Sequence, residues 1–208
     1  MRGATLNAWS TPLSQPLNDA ALDQLFRTAR TRNGWVEETL GEDVIRRIYD
    51  LAKMGPTSAN MSPARFVWVA SPESKEKLAA LASSTNADKI RKAPLTVIIG
   101  SDLDFPVHLP KLFPHAPGAK DWFPEGPFKE EAALRNSSLQ GAYLMIAARS
   151  LGYDCGPMSG FDNAGVDAAF FSGTRVKSNF ICSIGRGTDE NLFARSPRLA
   201  FEEANRIV

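Results

Sequence analysis

Arg30, Thr31 and Arg32 stand consecutively at the end of a helical pattern, two guanidinium groups flanking a hydroxyl. Such a set suits a phosphate, because hydrogen bonds between ionised partners are short and strong. Read alone, the same cations suit the negative C-terminal end of a helix equally well. Arg195 and Arg198 near the C-terminal end offer either a second phosphate clamp or a solvated tail. Between Gly55 and Pro63 the chain runs through Pro56, Thr57, Ser58 and Asn60 with few bulky side chains. That is either a turn-rich linker or a backbone surface laid against a planar ligand. Asn86 and Lys89 share a face at helical spacing, and by default both are solvated. In the run from Cys155 to Phe161, Gly156 and Gly160 permit close backbone approach around Pro157 and Ser159.

Other chemistries are set aside by what is missing. Cys155 and Cys182 are the two cysteines, each inside an apolar segment and outside any CxxC or Cys/His ligand spacing, so neither a disulfide scaffold nor a metal site is expected. Basic and acidic residues number 24 and 23, which leaves a net charge of +1 and no basic footprint for nucleic acid. No run reaches the ~18 apolar residues of a membrane span, and residues 1 to 16 contain no apolar leader core. A cytoplasmic protein without nucleic-acid or membrane partners is the expectation.

The elements that must position these residues are legible in part. At 208 residues, 43% hydrophobic and 23% charged, the chain can bury a core without staples, and one domain over 1–208 is expected. Helical and strand patterns are interspersed, as in one α/β unit. Leu22, Leu25, Phe26 and Ala29 form a helical face behind Asn18 or Asp19 as cap, and a second helix through Val44, Ile48 and Ala52 stops near Gly55-Pro56. A third spans about Pro72 to Ala82, capped by Ser71. Apolar runs at Phe66 to Ala70, Leu95 to Gly100 and Phe180 to Ile184 have strand length.

The longest helix is expected over Glu130 to Leu151, apolar on nearly every face around Tyr143 and thus in need of cover by a sheet or a second subunit. The segment 102–129 holds six prolines, His108, His115 and several aromatics. It reads either as a functional lid or as a surface loop packed by its own aromatics. Residues 1–17 form an N-terminal arm.

Taken in this order, the constellations resemble the nitroreductase-like FMN oxidoreductase superfamily from about Leu22 to Arg198. The wording Gly55-Pro56-Thr57-Ser58-Ala59-Asn60, and the stretch from Arg135-Asn136-Ser137-Ser138-Leu139-Gln140 to Cys155-Gly156-Pro157-Met158-Ser159-Gly160, look more specifically like malonic semialdehyde reductases of pyrimidine breakdown. The resemblance implies an α+β sandwich, a mostly antiparallel central sheet flanked by helices, built as an intertwined homodimer with FMN at the interface. By similarity Arg30 and Thr31 would bind the FMN ribityl and phosphate, with Arg32 adjacent and Arg198 or Arg195 reaching in from the C-terminal arm. Pro56, Thr57, Ser58 and Asn60 would line the isoalloxazine from the partner subunit. Asn86 and Lys89 would bond ring and ribityl, and Pro157, Ser159 and Gly160 would back the N5 side. Asn33, Ser62, Ala64 and Ser159 depart from residues common in relatives, which bears on the substrate pocket more than on the FMN site.

The implied activity is ping-pong reduction with NADPH or NADH as transient donor: hydride passes to flavin N5 and then to a small-molecule acceptor, with no catalytic side chain. The run Gly185-Arg186-Gly187 lacks the third glycine of a dinucleotide fingerprint, consistent with a transient nicotinamide. Malonic semialdehyde, reduced to 3-hydroxypropionate, is the leading acceptor. The alternatives are a broad-specificity nitro, quinone or enone reductase and a non-catalytic FMN-binding protein. An acidic acceptor needs a cationic partner, for which Lys111, Lys120, His108, His115 and Arg65 are candidates.

Overall fold

The protein is described here by a computed structural model covering residues 15–208. The expected N-terminal arm lies outside the described residues as far as residue 14. Asn18 caps α1 (Asp19–Leu22) by accepting the Ala21 N–H at 2.9 Å, and a π-helical turn over Asp23–Arg27 continues it. α2 (Glu42–Ala52) ends before Gly55, where a Cβ would fall 2.5 Å from the Tyr143 ring. Glycine is required there by packing against the long helix. Ser71 accepts the Ser74 N–H at 3.1 Å and Pro72 opens α3 (Pro72–Ala79), which stops three residues earlier than its pattern suggested.

The central sheet has four strands in the order β2-β3-β5-β4, every neighbouring pair antiparallel. β2 (Ala64–Val69), β3 (Leu95–Asp102) and β5 (Val176–Gly185) hold the three expected apolar runs, the first of them short of Ala70. β4 (Asp154–Met158) carries the Cys155-Gly156-Pro157 sequence, which is not among the expected strands. It is an edge strand, where a proline removes no ladder bond on its open side. A separate two-stranded ribbon joins β1 (Gly34–Trp35) to β6 (Gly187–Thr188).

Alternation along β3 divides the core between the two faces of the sheet. Val97 and Ile99 pack with Ile48 of α2 and Leu144 of α6 (Pro127–Ser150). Ile98, on the opposite face, packs with Leu78 of α3, Ile90 of α4 (Ser84–Lys92) and Val166 of α7 (Asn163–Phe170). Cys155 and Cys182 are both buried on the α6 side. Hydrogen bonding to Cys155 and burial together push the Cys182 thiol up, so it is no thiolate nucleophile at neutral pH.

α6 begins at Pro127, three residues before its expected start. Its second half is apolar as expected, and Leu139 and Tyr143 remain 46% and 39% exposed, as Leu51 of α2 is also exposed. Its first half, outside the run expected to be apolar, buries polar side chains. Asn136, Ser137 and Gln140 are buried, and the Ser137 hydroxyl meets that of Ser101 on β3 at 2.6 Å.

The 102–129 segment is neither a regular helix nor an open loop. It folds as a turn over Phe105–His108, α5 (Leu109–Leu112) and a turn over Pro117–Asp121. Phe105, Leu109 and Ala119 are fully buried with Met61 and Ala133, and Phe105 meets Phe123 edge-on at 4.9 Å. Packing by its own aromatics is therefore observed. Among the described residues no helix is long and apolar enough to cross a membrane, and α8 (Phe201–Ala204) closes the C-terminal arm.

Candidate functional site

Residues 30–32 are drawn alongside β4 by a bridge between Thr31 and Cys155, with the Arg32 N–H donating to the Cys155 carbonyl at 3.1 Å. The chain leaving β4 is in turn tied to α4. The Gly160 carbonyl accepts both the Ser83 N–H at 3.0 Å and the Asn86 side-chain amide at 3.1 Å. A Cβ on Gly160 would sit 2.9 Å from that amide nitrogen, so only glycine allows the approach without a shift. Three constellations far apart in sequence thus become neighbours.

The C-terminal arm completes this side. Arg30 donates to the Phe193 carbonyl, Arg195 to the Ala29 carbonyl at 2.8 Å, and Asn33 to the Asn191 carbonyl at 2.9 Å. The result is a cavity of about 480 Å³ lined by Arg30, Thr31, Lys89, Arg149, Arg195 and Arg198, among others. Among the described residues, five cations and no carboxylate line it. That composition fits a phosphate-bearing ligand, since several ionised donors would otherwise face each other without an anion.

Arg149 is the contributor that sequence reasoning missed. It stands in the last turn of α6 and donates to the Leu25 carbonyl at 3.2 Å. A single arginine within the apolar run Tyr143 to Leu151 was the available signal. Arg32, expected next to Arg30 on the phosphate, is not brought into this cavity. Its guanidinium bonds Asp189 at 2.5 Å and the Thr188 carbonyl at 3.1 Å, with Asp154 at 3.7 Å, so its charge is already spent on holding β6 to β4.

Pro56, Thr57, Ser58 and Asn60 lie elsewhere, where the Ser58 N–H donates to Asn136 in the first half of α6. Asn60 faces a second cavity of about 660 Å³, also lined by Tyr49, Phe66, Trp68, His108, Lys111 and Gln140. Among the described residues none lines both cavities. Of the candidate cations for an acidic acceptor, Arg65, Lys111 and His108 line this second cavity. Arg65 is held by Asp102 at 2.5 Å, and Lys120 pairs with Asp121 at 3.2 Å away from the cavity. His115 packs on Phe113 with ring centroids 3.9 Å apart. Lys111 has no ion pair among the described residues.

The family model described as "Nitroreductase family" matches residues 14–185. A Caulobacter sp. (strain K31) protein named "Putative NADH dehydrogenase/NAD(P)H nitroreductase" is 65% identical over 192 residues, which is 92% of this chain and 98% of that protein. A protein of the same name from Stenotrophomonas maltophilia (strain R551-3) is 58% identical over 94% of this chain and all of its own length. Among solved structures, a nitroreductase-type protein from Exiguobacterium sibiricum, solved in complex with FMN, superposes with a TM-score of 0.82 at 22% identity, over 93% of this chain and 99% of that one. A gut-bacterial enone reductase superposes with a TM-score of 0.79 at 18% identity, over 92% of this chain and 99% of its own.

Proposed function

This chain belongs to the nitroreductase family, and from that premise we propose that it is an FMN-dependent oxidoreductase drawing reducing equivalents from NADH or NADPH. The observation that carries the proposal is the cavity with five cations and no carboxylate, assembled from the end of the first helix, α4, α6 and the C-terminal arm. When bound, FMN would supply two-electron hydride chemistry at N5. Arg30, Thr31 and Arg198 are assigned to the phosphate and ribityl, with Arg149 added to them and Arg195 holding the arm in place. Lys89 offers a cation where negative charge accumulates on reduction, which raises electron affinity. Asn86 holds the Gly160 turn, and Pro157, Ser159 and Gly160 form the backbone wall behind the reacting face.

Of the surface assigned to the isoalloxazine, Pro56 to Asn60, Asn60 lines the second cavity and none lines the phosphate cavity of the same chain. This separation supports a homodimer in which each copy completes the other's site. The exposed Leu51, Leu139 and Tyr143 are the apolar surface such a partner would cover.

We assign a small carbonyl acid, malonic semialdehyde, as the acceptor, yielding 3-hydroxypropionate. Support comes from Lys111, which lines the second cavity and lacks an ion-pair partner among the described residues. A broad nitro, quinone or enone reductase is the second reading, favoured by the aromatic walls Tyr49, Phe66 and Trp68 and by the nitroreductase names of the relatives. Turnover of NADPH and NADH against malonic semialdehyde, a nitroarene and a quinone separates the two. Bound FMN with no turnover of any acceptor would make this a flavin-binding protein instead.

A further inference from the structure

We propose that Asn136 and Gln140 are positioning residues that staple the loop 58–64 in a left-handed backbone form, and that this form sets the surface the loop offers to the flavin ring. The inference rests on the assignment of Pro56 to Asn60 to that ring. Its starting point is backbone strain. Ala59, Asn60 and Ser62 have φ of 49°, 50° and 42°, and among the described residues only Asn191 is another non-glycine with positive φ. L side chains resist this region, and such residues cluster where the surroundings over-determine them. Three of them within four positions identify a stretch held against its own preference.

The holding groups stand on α6. Asn136 Oδ1 accepts the Ser58 N–H at 2.8 Å, and Gln140 Oε1 accepts the Ala64 N–H at 2.8 Å. Spaced four apart, the two amides occupy one helix face and grip the loop at both ends of the strained stretch. They are 3% and 7% exposed, so water is a poor substitute acceptor. Asn136 Nδ2 is committed to the Ala132 carbonyl at 2.9 Å, which fixes its oxygen toward Ser58. Within the loop, Thr57 Oγ1 accepts the Ser62 N–H at 3.1 Å. Asn60 Nδ2 donates to the Leu112 carbonyl at 2.8 Å, so the loop geometry also sets where α5 and its Lys111 stand. A peptide flip at 59–62 would therefore move both the ring-facing amides and the acceptor cavity.

The test compares wild type with Asn136→Ala, Gln140→Ala, Gln140→Glu and the double variant Asn136→Ala with Ala59→Gly. Hydrogen exchange of residues 57–64 is read with and without FMN, beside the reduction potential of bound flavin and the separate kcat and KM for the acceptor. Both alanine variants are expected to exchange the loop amides about tenfold faster or more, as loss of a buried backbone hydrogen bond implies. Exchange in β3 should not change, and the flavin potential should shift. Gln140→Glu keeps the acceptor and should keep loop protection. Ala59→Gly should return the potential toward wild type in the Asn136→Ala background, because glycine takes positive φ without steric penalty. Alanine variants that lower Tm alone, with loop exchange, potential and kinetics unchanged, would overturn the proposal. Should Asn136→Ala fail to fold, the Gln140 pair decides. If wild type binds no FMN, the cofactor assignment falls while loop exchange still decides the staple.

Discussion

Arg195 donates its guanidinium to the carbonyl oxygen of Ala29 at 2.8 Å, across 166 positions of sequence. Arg30, the next residue, reaches back to the carbonyl of Phe193. The C-terminal arm is thereby clasped over the cationic cavity by two arginines, each donating to the other's segment. Arg30→Ala removes a cavity cation and half of the clasp, and should weaken FMN binding by about 2 kcal/mol or more, roughly 30-fold. Arg195→Ala should weaken it less and chiefly by faster release. Fluorescence titration and dissociation rates across a salt series check both, with affinity falling as salt rises.

Within the 102–129 segment two aromatics should respond differently. Phe105 is fully buried against Phe123, so Phe105→Ala should cost about 3–5 kcal/mol of stability. Phe113 is only partly buried beside the residues of the second cavity, and Phe113→Ala should change kcat/KM for the acceptor at unchanged FMN content. Lys111→Ala should raise KM for malonic semialdehyde and leave a neutral quinone unaffected. Unchanged acceptor kinetics for both variants would leave this segment a structural cap alone.

Acid should loosen the far end of the same segment. Glu125 makes a two-point contact with Arg175, at 2.9 and 2.7 Å, and accepts from Lys129 at 2.7 Å. These bonds, Arg175 first, hold its carboxyl down at about 2 against an ordinary 4.5. A depressed carboxylate stabilises the fold above its ordinary value and loses that contribution as pH falls toward the folded one. The loss should therefore run from about pH 4.5 to about pH 2, and Glu125→Gln should abolish that part of the pH dependence. Being solvent-exposed, the contact should also weaken with salt. Hydrogen exchange over 102–126 as a function of pH reads it directly.

Much of this arrangement was legible in the chain. Ser71, Asn18 and the strand runs obey local rules of capping and periodicity, so they could be read without tertiary information. β4 could not, because Gly156 and Pro157 look like a loop until an edge position makes proline harmless. Arg30, Thr31 and Lys89 were identified by resemblance and do meet in one cavity. Arg32 shares their local pattern but not their destination, since its partners Asp154 and Asp189 are remote in sequence. Asn136 and Gln140 were equally hidden. Their meaning lies in the backbone N–H groups they receive from a loop more than 70 residues away.

The composite site proposed above predicts complementation. Arg30→Ala damages one cavity and Asn60→Ala the other, so each homodimer should be impaired at both of its sites. Mixed after subunit exchange, the two variants should regain activity through hybrid dimers holding one intact site. Leu139→Glu with Tyr143→Glu should produce monomers by light scattering and lower FMN affinity together. A folded, FMN-loaded monomer would contradict the arrangement.

The measurement that bears most directly on the whole account is anaerobic mixing of the purified, FMN-saturated protein with NADPH or NADH while following the visible flavin absorbance. The account predicts about one FMN bound per chain, rapid bleaching on addition of the nicotinamide, and recovery of the colour when malonic semialdehyde, a nitroarene or a quinone is added. A protein that stays colourless after incubation with FMN, or a bound flavin that neither nicotinamide bleaches, would contradict it.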